Sequence, residues 1–145
     1  MIIATGFYAG YLPIAPGTWG SAVGLVLYFF LRGLSLPVYL TIIMVLFIVG
    51  FFTAGAAEKI LDRRDPGPVV IDEIVGMLVT LIAAPANPLI WLLGFFIFRI
   101  FDIIKPFPAR LIDERVHGGV GIMLDDVMAG VYSLLVLQGI VWIFF

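Results

Sequence analysis

Long apolar runs separated by short polar breaks are the dominant pattern of this chain, and they predict five helices, over residues 19–31, 37–57, 69–84, 89–104 and 122–145. The run at 37–57 is the clearest candidate to cross a membrane, because a spanning helix needs about 20 apolar residues. The run at 19–31 is short for that purpose. Glycines and prolines interrupt residues 2–20, which favours a short helix and a loop there, with Thr18 as the N-cap of the helix that follows.

Charged residues are concentrated around the break between the fourth and fifth helices. Residues 99–130 hold five of the ten acidic residues, four of the eight basic residues and the only histidine. Within this stretch, residues 109–116 have the pattern of a short amphipathic helix lying on a membrane surface. Ionisable groups are costly at the edge of a bilayer, so this concentration of charge indicates a functional site.

The composition indicates an all-α integral membrane protein, a helical bundle of about five helices plus the short surface helix, forming a single domain over residues 1–145. Of the 145 residues, 63% are hydrophobic and 12% are charged, and the mean hydropathy is +1.19. A soluble domain of this length cannot bury so much apolar surface. The net charge of −2, without a basic patch, argues against nucleic acid as a partner.

The residue types that are missing exclude several enzyme classes. The chain contains no cysteine, which excludes thiol nucleophiles and cysteine-bound zinc. A single histidine excludes the lipid phosphatases that use two. No G-x-S-x-G nucleophile elbow is present. Metal-assisted attack on phosphorus is compatible with the residues that remain.

The loop charges predict the orientation of the bundle. If the helices alternate in direction, the loops after the second and fourth helices share one side and carry six of the eight basic residues: Lys59, Arg63, Arg64, Lys105, Arg110 and Arg115. An excess of Lys and Arg marks the cytoplasmic side. Every acidic residue and the segment 16–18 fall on that side too, so we expect the polar chemistry at the cytoplasmic membrane surface.

Five carboxylates at predicted helix ends are the candidate metal ligands: Asp72, Glu73, Asp102, Asp125 and Asp126. Asp72 and Asp125 fall in predicted first turns, where they are also explained by the helix dipole. That explanation fails for Asp102, which lies near a helix C-terminus. Crowded carboxylates need protons or a cation to neutralise them. Oxygen ligands suit Mg²⁺ or Mn²⁺, and Mg²⁺ commonly bridges to phosphate, so the residues favour a Mg²⁺–phosphate site.

Each remaining candidate allows a functional and a purely structural interpretation. Lys105 either pairs with Asp102 three residues earlier or contacts phosphate, and Arg99 is either a membrane anchor or a phosphate ligand. His117 is either a general acid or base or an exposed loop residue. The segment 16–18 is either a simple cap or an anion site at a helix N-terminus.

Four motifs resemble those of bacterial phosphatidylglycerophosphatase A: PGTWGS at 16–21, IDEIVGM at 71–77, FRIFDIIKPFP at 98–108 and VHGGVGIMLDDVMAG at 116–130. They occur in the right order and cover essentially the whole chain. The resemblance implies a Mg²⁺-dependent enzyme of the bacterial inner membrane. Such an enzyme removes phosphate from phosphatidylglycerophosphate to give phosphatidylglycerol, so its partners are this lipid substrate and the surrounding membrane lipids.

The resemblance also implies roles for individual residues. Glu73, Asp102 and Asp126 would be the core metal ligands, Asp125 a ligand or general base, and Asp72 a ligand or a group supporting one. Phosphate would be held by Lys105 and cradled at one end of the bundle, with contacts from Gly17, Thr18, Ser21, Arg99 and His117. The expected attacking group is water activated by the metal, and a carboxylate nucleophile stays open. A small transporter is less favoured, because its acids would lie near mid-membrane and these lie at helix ends, and a non-catalytic subunit stays open.

Overall fold

In the computed structural model, the described part of the chain forms a bundle of five helices. The structure describes residues 2–6, 11, 16–60, 69–104, 111, 115 and 118–145. The helices are α1 (Pro16–Leu31), α2 (Leu36–Ile60), α3 (Ile71–Thr80), α4 (Pro88–Ile104) and α5 (Gly118–Phe144), and no strand occurs within the described ranges. The predicted all-α class and the five helices are confirmed, whereas the predicted surface helix at 109–116 lies outside the described residues except at 111 and 115.

Helix α3 lies at the centre of the bundle and contacts the other four helices. Nine of its ten residues are buried. A helix of this kind, apolar on most of its surface, needs neighbours on all sides. The prediction that it runs to residue 84 is wrong, because residues 81–83 form turns and Ala83 has a φ of +57°. The apolar residues beyond Thr80 continue the hydrophobic pattern of the helix without its backbone.

Side chains from other helices bind the backbone where α3 ends. The Tyr39 hydroxyl of α2 donates to the Leu78 carbonyl. The Gln138 amide of α5 donates to the carbonyls of Ile82 and Ala83, each at 3.2 Å. Trp91 Nε1 donates to the Pro85 carbonyl at 2.8 Å. Irregular backbone at membrane depth is stable only when protein or water satisfies it in this way.

The distribution of side chains is the reverse of that in a soluble protein. Phe30, Phe52 and Leu135 are more than 60% exposed on the outer surface, whereas four aspartates are buried inside: Asp72, Asp102, Asp125 and Asp126. Among the described helices, the segments Leu36–Ala57 and Gly118–Phe144 are long and apolar enough to cross a membrane, and Gly17–Leu31 is a shorter apolar helix. An apolar exterior around buried acids is the arrangement expected of a helical bundle in lipid.

Two helices begin earlier than the sequence pattern predicts. Helix α1 begins at Pro16, so Thr18 lies inside its first turn and the prediction that it is the N-cap is wrong. Proline is well suited to the first turn, because the N–H that it lacks has no helical partner there. Helix α5 begins at Gly118, whose φ is +77°. Asp125 therefore lies about two turns inside α5, and its explanation by the helix dipole is wrong.

Candidate metal and phosphate site

Three carboxylates from α3 and α5 meet at one end of the bundle. One oxygen each from Asp72, Glu73 and Asp126 lies within 4.8 Å of the other two. Asp72 and Asp126 are almost fully buried. Glu73 is partly exposed as a residue, but its Oε2 is buried and receives no hydrogen bond from the described residues. Like charges this close repel unless protons or a cation neutralise them, so the group is suited to a hard divalent cation.

Two glycines explain why α3 and α5 approach closely enough for these acids to meet. Gly76 lies four residues after Asp72, and Gly130 lies four residues after Asp126, so each glycine shares a helix face with its acid. A Cβ on Gly76 would lie 2.8 Å from the Asp126 carbonyl oxygen, and a Cβ on Gly130 would lie 2.7 Å from the Gly76 carbonyl oxygen. Small residues permit such close helix packing. The repeated D-x-x-x-G spacing was the sequence signal for this pairing, and residue-type reasoning alone missed it.

Burial raises the pKa of Glu73 to about 7. The negative charge of Asp102 also raises this pKa, whereas a hydrogen bond with Asp72 and the guanidinium of Arg99 act in the opposite direction. Glu73 therefore retains its proton in a substantial fraction of metal-free molecules at neutral pH. A cation bound here displaces that proton, because a carboxylate must ionise to act as a ligand.

Arg99 links α4 to the acidic group. Its Nη1 forms an ion pair of 2.6 Å with Oδ2 of Asp102, three residues later in the last turn of α4. The ion pair offsets the unfavourable position of a carboxylate near a helix C-terminus. Arg99 Nη1 also donates to Ser21 Oγ at 3.5 Å. Its Nε makes no hydrogen bond within the described part of the chain, so one buried donor of this guanidinium is available to a ligand.

The first turn of α1 lies against both Arg99 and Glu73. A Cβ on Gly17 would be 2.9 Å from Arg99 Nη2 and 3.2 Å from Glu73 Oε1, so any larger residue here would have to displace the tips of these side chains. The buried Ser21 hydroxyl donates to the Gly17 carbonyl at 2.8 Å. A helix N-terminus beside a guanidinium offers N–H donors and positive charge to an anion, and this combination suits phosphate.

The structure brings together most of the residues that the sequence singled out. Those in one contiguous site are Gly17, Ser21, Asp72, Glu73, Arg99, Asp102 and Asp126. Thr18 follows Gly17 in the same turn of α1. Asp125 is buried beside Asp126 in α5 but is not one of the three clustered carboxylates. Lys105 and His117 lie outside the described residues, so their roles stay predictions.

Comparison with known proteins identifies the family of this chain. Residues 2–141 match the family model of phosphatidylglycerophosphatase A. The chain belongs to the phosphatidylglycerophosphatase A family. The resemblance of its four motifs is thereby confirmed. Two relatives carry the family name: one from Escherichia coli (strain K12) is 41% identical over 91% of this chain and 77% of its own length. The other, from Haemophilus influenzae, is 38% identical over 96% of this chain and 86% of its own length.

A third relative of this chain has a different name. This protein from Bacteroides thetaiotaomicron is 40% identical over 99% of the present chain and 94% of its own length, and it is named "Putative phosphatidylinositol-3-phosphatase". All three names describe removal of phosphate from a lipid. No solved structure matches the chain.

Proposed function

We propose that this chain is a Mg²⁺-dependent lipid phosphatase that hydrolyses phosphatidylglycerophosphate to phosphatidylglycerol and phosphate in phospholipid biosynthesis. The observation that carries the proposal is the cluster of Asp72, Glu73 and Asp126 beside Arg99 and the start of α1. A group of buried carboxylates next to an anion-binding helix end has the two parts that metal-assisted phosphate chemistry needs. Residues 1–145 would form one membrane-embedded phosphatase domain.

The carboxylates fit Mg²⁺ better than a softer metal. Asp72, Glu73 and Asp126 offer oxygen ligands only, and the buried Glu73 Oε2 has no competing hydrogen bond among the described residues. We assign these three as the principal ligands, with Asp72 in place of Asp102 in the set that the resemblance implies, because Asp102 is paired with Arg99. Mg²⁺, when bound, supplies positive charge to the phosphate oxygens and makes a nearby water a better nucleophile.

The phosphate would lie between the metal ligands and α1. Arg99 and the first-turn N–H groups at Gly17 and Thr18 would bind its oxygens, and Ser21 would hold Arg99 in position. Lys105 and His117 would contribute further contacts to the headgroup. These contacts also orient the phosphorus toward the attacking water, which is how a positioned site lowers the barrier to phosphoryl transfer.

In the reaction, the oxygen of a water molecule forms a bond to phosphorus, and the bond from phosphorus to the glycerol oxygen breaks. A carboxylate, which we assign to Asp125, accepts the proton of the water. The glycerol oxygen gains a proton and remains with the lipid, and inorganic phosphate leaves. We place this chemistry at the cytoplasmic side of the bacterial inner membrane, in a multi-pass protein.

The test is phosphate release from phosphatidylglycerophosphate by the purified protein in detergent. We expect release with Mg²⁺, none after chelation by EDTA, and restoration when Mg²⁺ is added back. The variant Asp102→Asn should lose turnover while it remains folded, because it removes charge from the site but little volume. If folded wild-type protein releases no phosphate from this lipid, the proposed reaction is wrong.

The Bacteroides relative favours a second candidate substrate, a phosphoinositide with phosphate at position 3. The same carboxylates and Arg99 would serve either phosphate monoester, because their contacts are to phosphate oxygens. Measuring kcat/KM for both lipids under identical detergent conditions separates the two. A preference of at least about tenfold for phosphatidylglycerophosphate supports the first assignment, and the reverse preference moves the assignment to the phosphoinositide.

A further inference from the structure

A cavity of about 170 Å³ lies at the end of the bundle away from the acidic cluster. Its walls come from the turn between α1 and α2 and from the turns after α3, and they include Tyr28, Arg32, Tyr39, Leu81 and Ala83. Arg32 follows Gly17 by fifteen residues of mostly helical chain, which places it about 22 Å farther along the bundle. The cavity is therefore separate from the proposed phosphatase site.

Arg32 brings an uncompensated positive charge to this cavity. Its guanidinium carbon lies 5.0 Å from the ring centroid of Phe29 and 5.2 Å from that of Trp91. Among residues with described side chains, the acidic ones all lie in or near the cluster at the other end, and none forms an ion pair with Arg32. Two aromatic rings therefore hold the guanidinium while its N–H groups stay available to an anion.

The walls of the cavity are held in place by contacts that do not involve Arg32. The rings of Tyr28 and Tyr39 pack edge to face with centroids 6.1 Å apart. The Tyr39 hydroxyl is engaged by the Leu78 carbonyl, and the Ala83 carbonyl accepts from Gln138. These contacts keep the cavity open without a ligand, so a ligand would not have to pay for ordering the walls.

The surface next to the cavity is apolar and exposed. Phe29, Phe30 and Leu36 each expose half or more of their surface around the end of α1 and the start of α2. A cation held over a Trp ring, beside Tyr rings that line the cavity and flanked by apolar side chains, is the combination found where a membrane protein meets lipid headgroups. Acyl chains could lie along these side chains while a headgroup phosphate reaches Arg32.

We propose that this cavity is a binding site for the headgroup phosphate of an anionic phospholipid, in the leaflet away from the acidic cluster, with Arg32 as its principal contact. The assignment does not depend on the proposed phosphatase reaction. It uses a different residue set, a different end of the bundle and a lipid that is not consumed.

Thermal unfolding of the delipidated protein in detergent tests the proposal, with added dioleoyl-phosphatidylserine compared with dioleoyl-phosphatidylcholine. Phosphatidylserine is used because it is neither substrate nor product of the proposed reaction. We expect it to raise the Tm of the wild type more than phosphatidylcholine does. In Arg32→Gln the lipid concentration for half-maximal stabilisation should rise about tenfold, which corresponds to one lost charge-assisted hydrogen bond.

Two matched variants keep the result interpretable. Lys59→Gln removes one exposed positive charge at the other end of the bundle and should leave the lipid response at its wild-type level. Arg32→Lys keeps the charge without the planar guanidinium and should retain part of the response. An equal response of wild type and Arg32→Gln overturns the proposal, as does an equal loss in Lys59→Gln. Stabilisation by inorganic phosphate alone that equals that by phosphatidylserine and is lost in Arg32→Gln overturns the assignment to a lipid, whereas phosphate binding at the phosphatase site would be unaffected by this variant.

Discussion

At the N-terminal end of α3, Glu73 Oε2 is buried without a hydrogen bond from any described residue, whereas at the C-terminal end the carbonyls of Leu78, Ile82 and Ala83 all accept from side chains of other helices. Both ends lie inside the same bundle and adjoin the same neighbours. Leaving a buried polar group unsatisfied costs about 1–3 kcal/mol. The carbonyls at the C-terminal end of α3 do not incur this cost, whereas Glu73 Oε2 at the N-terminal end does.

This difference separates a structural end of the helix from a ligand-binding one. Tyr39 and Gln138 donate hydrogen bonds to the backbone carbonyls at the C-terminal end of α3, so these carbonyls need no ligand to satisfy them. The carboxylates at the opposite end are crowded, and a bound cation would supply the positive charge that neutralises them. Substitutions at the first end should therefore change stability, and substitutions at the second should chiefly change activity.

The largest effect is expected from Asp126→Asn. Losing a charged metal ligand should lower kcat/KM for phosphatidylglycerophosphate by about a thousandfold or more, because metal stabilisation of the transition state is worth several kcal/mol. The metal-free variant should be at least as stable as the wild type, since one of three clustered negative charges is gone. Phosphate release and Tm in EDTA measure the two quantities.

Ser133→Ala is the matched control for Asp126→Asn. Ser133 is buried in the same helix, and its hydroxyl donates only to the Ala129 carbonyl of its own helix. The kcat/KM of Ser133→Ala should stay within about twofold of the wild type, as expected when a polar group outside the site is removed. If Asp126→Asn kept full activity, or lost it only through unfolding, the carboxylates would have to be structural.

The close contact of α3 with α5 is tested by Gly76→Ala. The added Cβ would lie 2.5 Å from ring atoms of Phe98 and 2.8 Å from the Asp126 carbonyl oxygen, so the helices must separate. We expect a destabilisation of about 1–3 kcal/mol together with a loss of Mg²⁺-dependent activity, which persists at temperatures where the variant is folded. Gly139→Ala in α5 is the control, because its Cβ would meet no atom within 4 Å. Equal behaviour of the two variants would contradict the role given to this contact.

Much of this arrangement was accessible from the sequence, and the misses have specific causes. Helices α2 and α4 match their predicted bounds closely, because polar or proline residues flank their apolar runs. The end of α3 was missed because Leu81 continues the apolar pattern although its backbone has left the helix. The side chain that donates to that turn, Gln138, is more than 50 residues away. The acids could be selected by type, but their pairing depends on the Gly76–Gly130 contact, which is a tertiary feature.

The pH dependence of metal binding tests the N-terminal end of α3 directly. Because the pKa of Glu73 is raised to about 7, its proton competes with Mg²⁺ below that pH and scarcely does so above it. Between about pH 8 and pH 6 the ionised fraction falls about tenfold, and the apparent Mg²⁺ affinity should fall by a similar factor. Isothermal titration calorimetry at several pH values measures this change.

The metal-free protein should show the opposite trend in stability. Because the pKa is raised from 4.5 to about 7 in the folded state, folding takes up a proton between these pH values, so the stabilisation is complete only below about pH 4.5 and falls progressively as the pH rises to 7. In Glu73→Gln, which cannot ionise at this position, both the change in Mg²⁺ affinity and the change in stability over this range should shrink. A Mg²⁺ affinity that is flat from pH 6 to 8 in the wild type would be inconsistent with Glu73 as a ligand.

The smallest effect is expected at the C-terminal end of α3, from Gln138→Leu. The substitution keeps the side chain at a similar size but removes the donor to the Ile82 and Ala83 carbonyls. Hydrogen bonds within membrane bundles contribute about 0.6 kcal/mol on average, so two should be worth about 1 kcal/mol. Unfolding in a denaturing detergent should detect this loss, while kcat/KM stays within about twofold of the wild type because the site lies at the other end of α3. A large loss of activity with little loss of stability would mean that the two ends are coupled through α3, and the distinction between a structural end and a ligand-binding end would then fail.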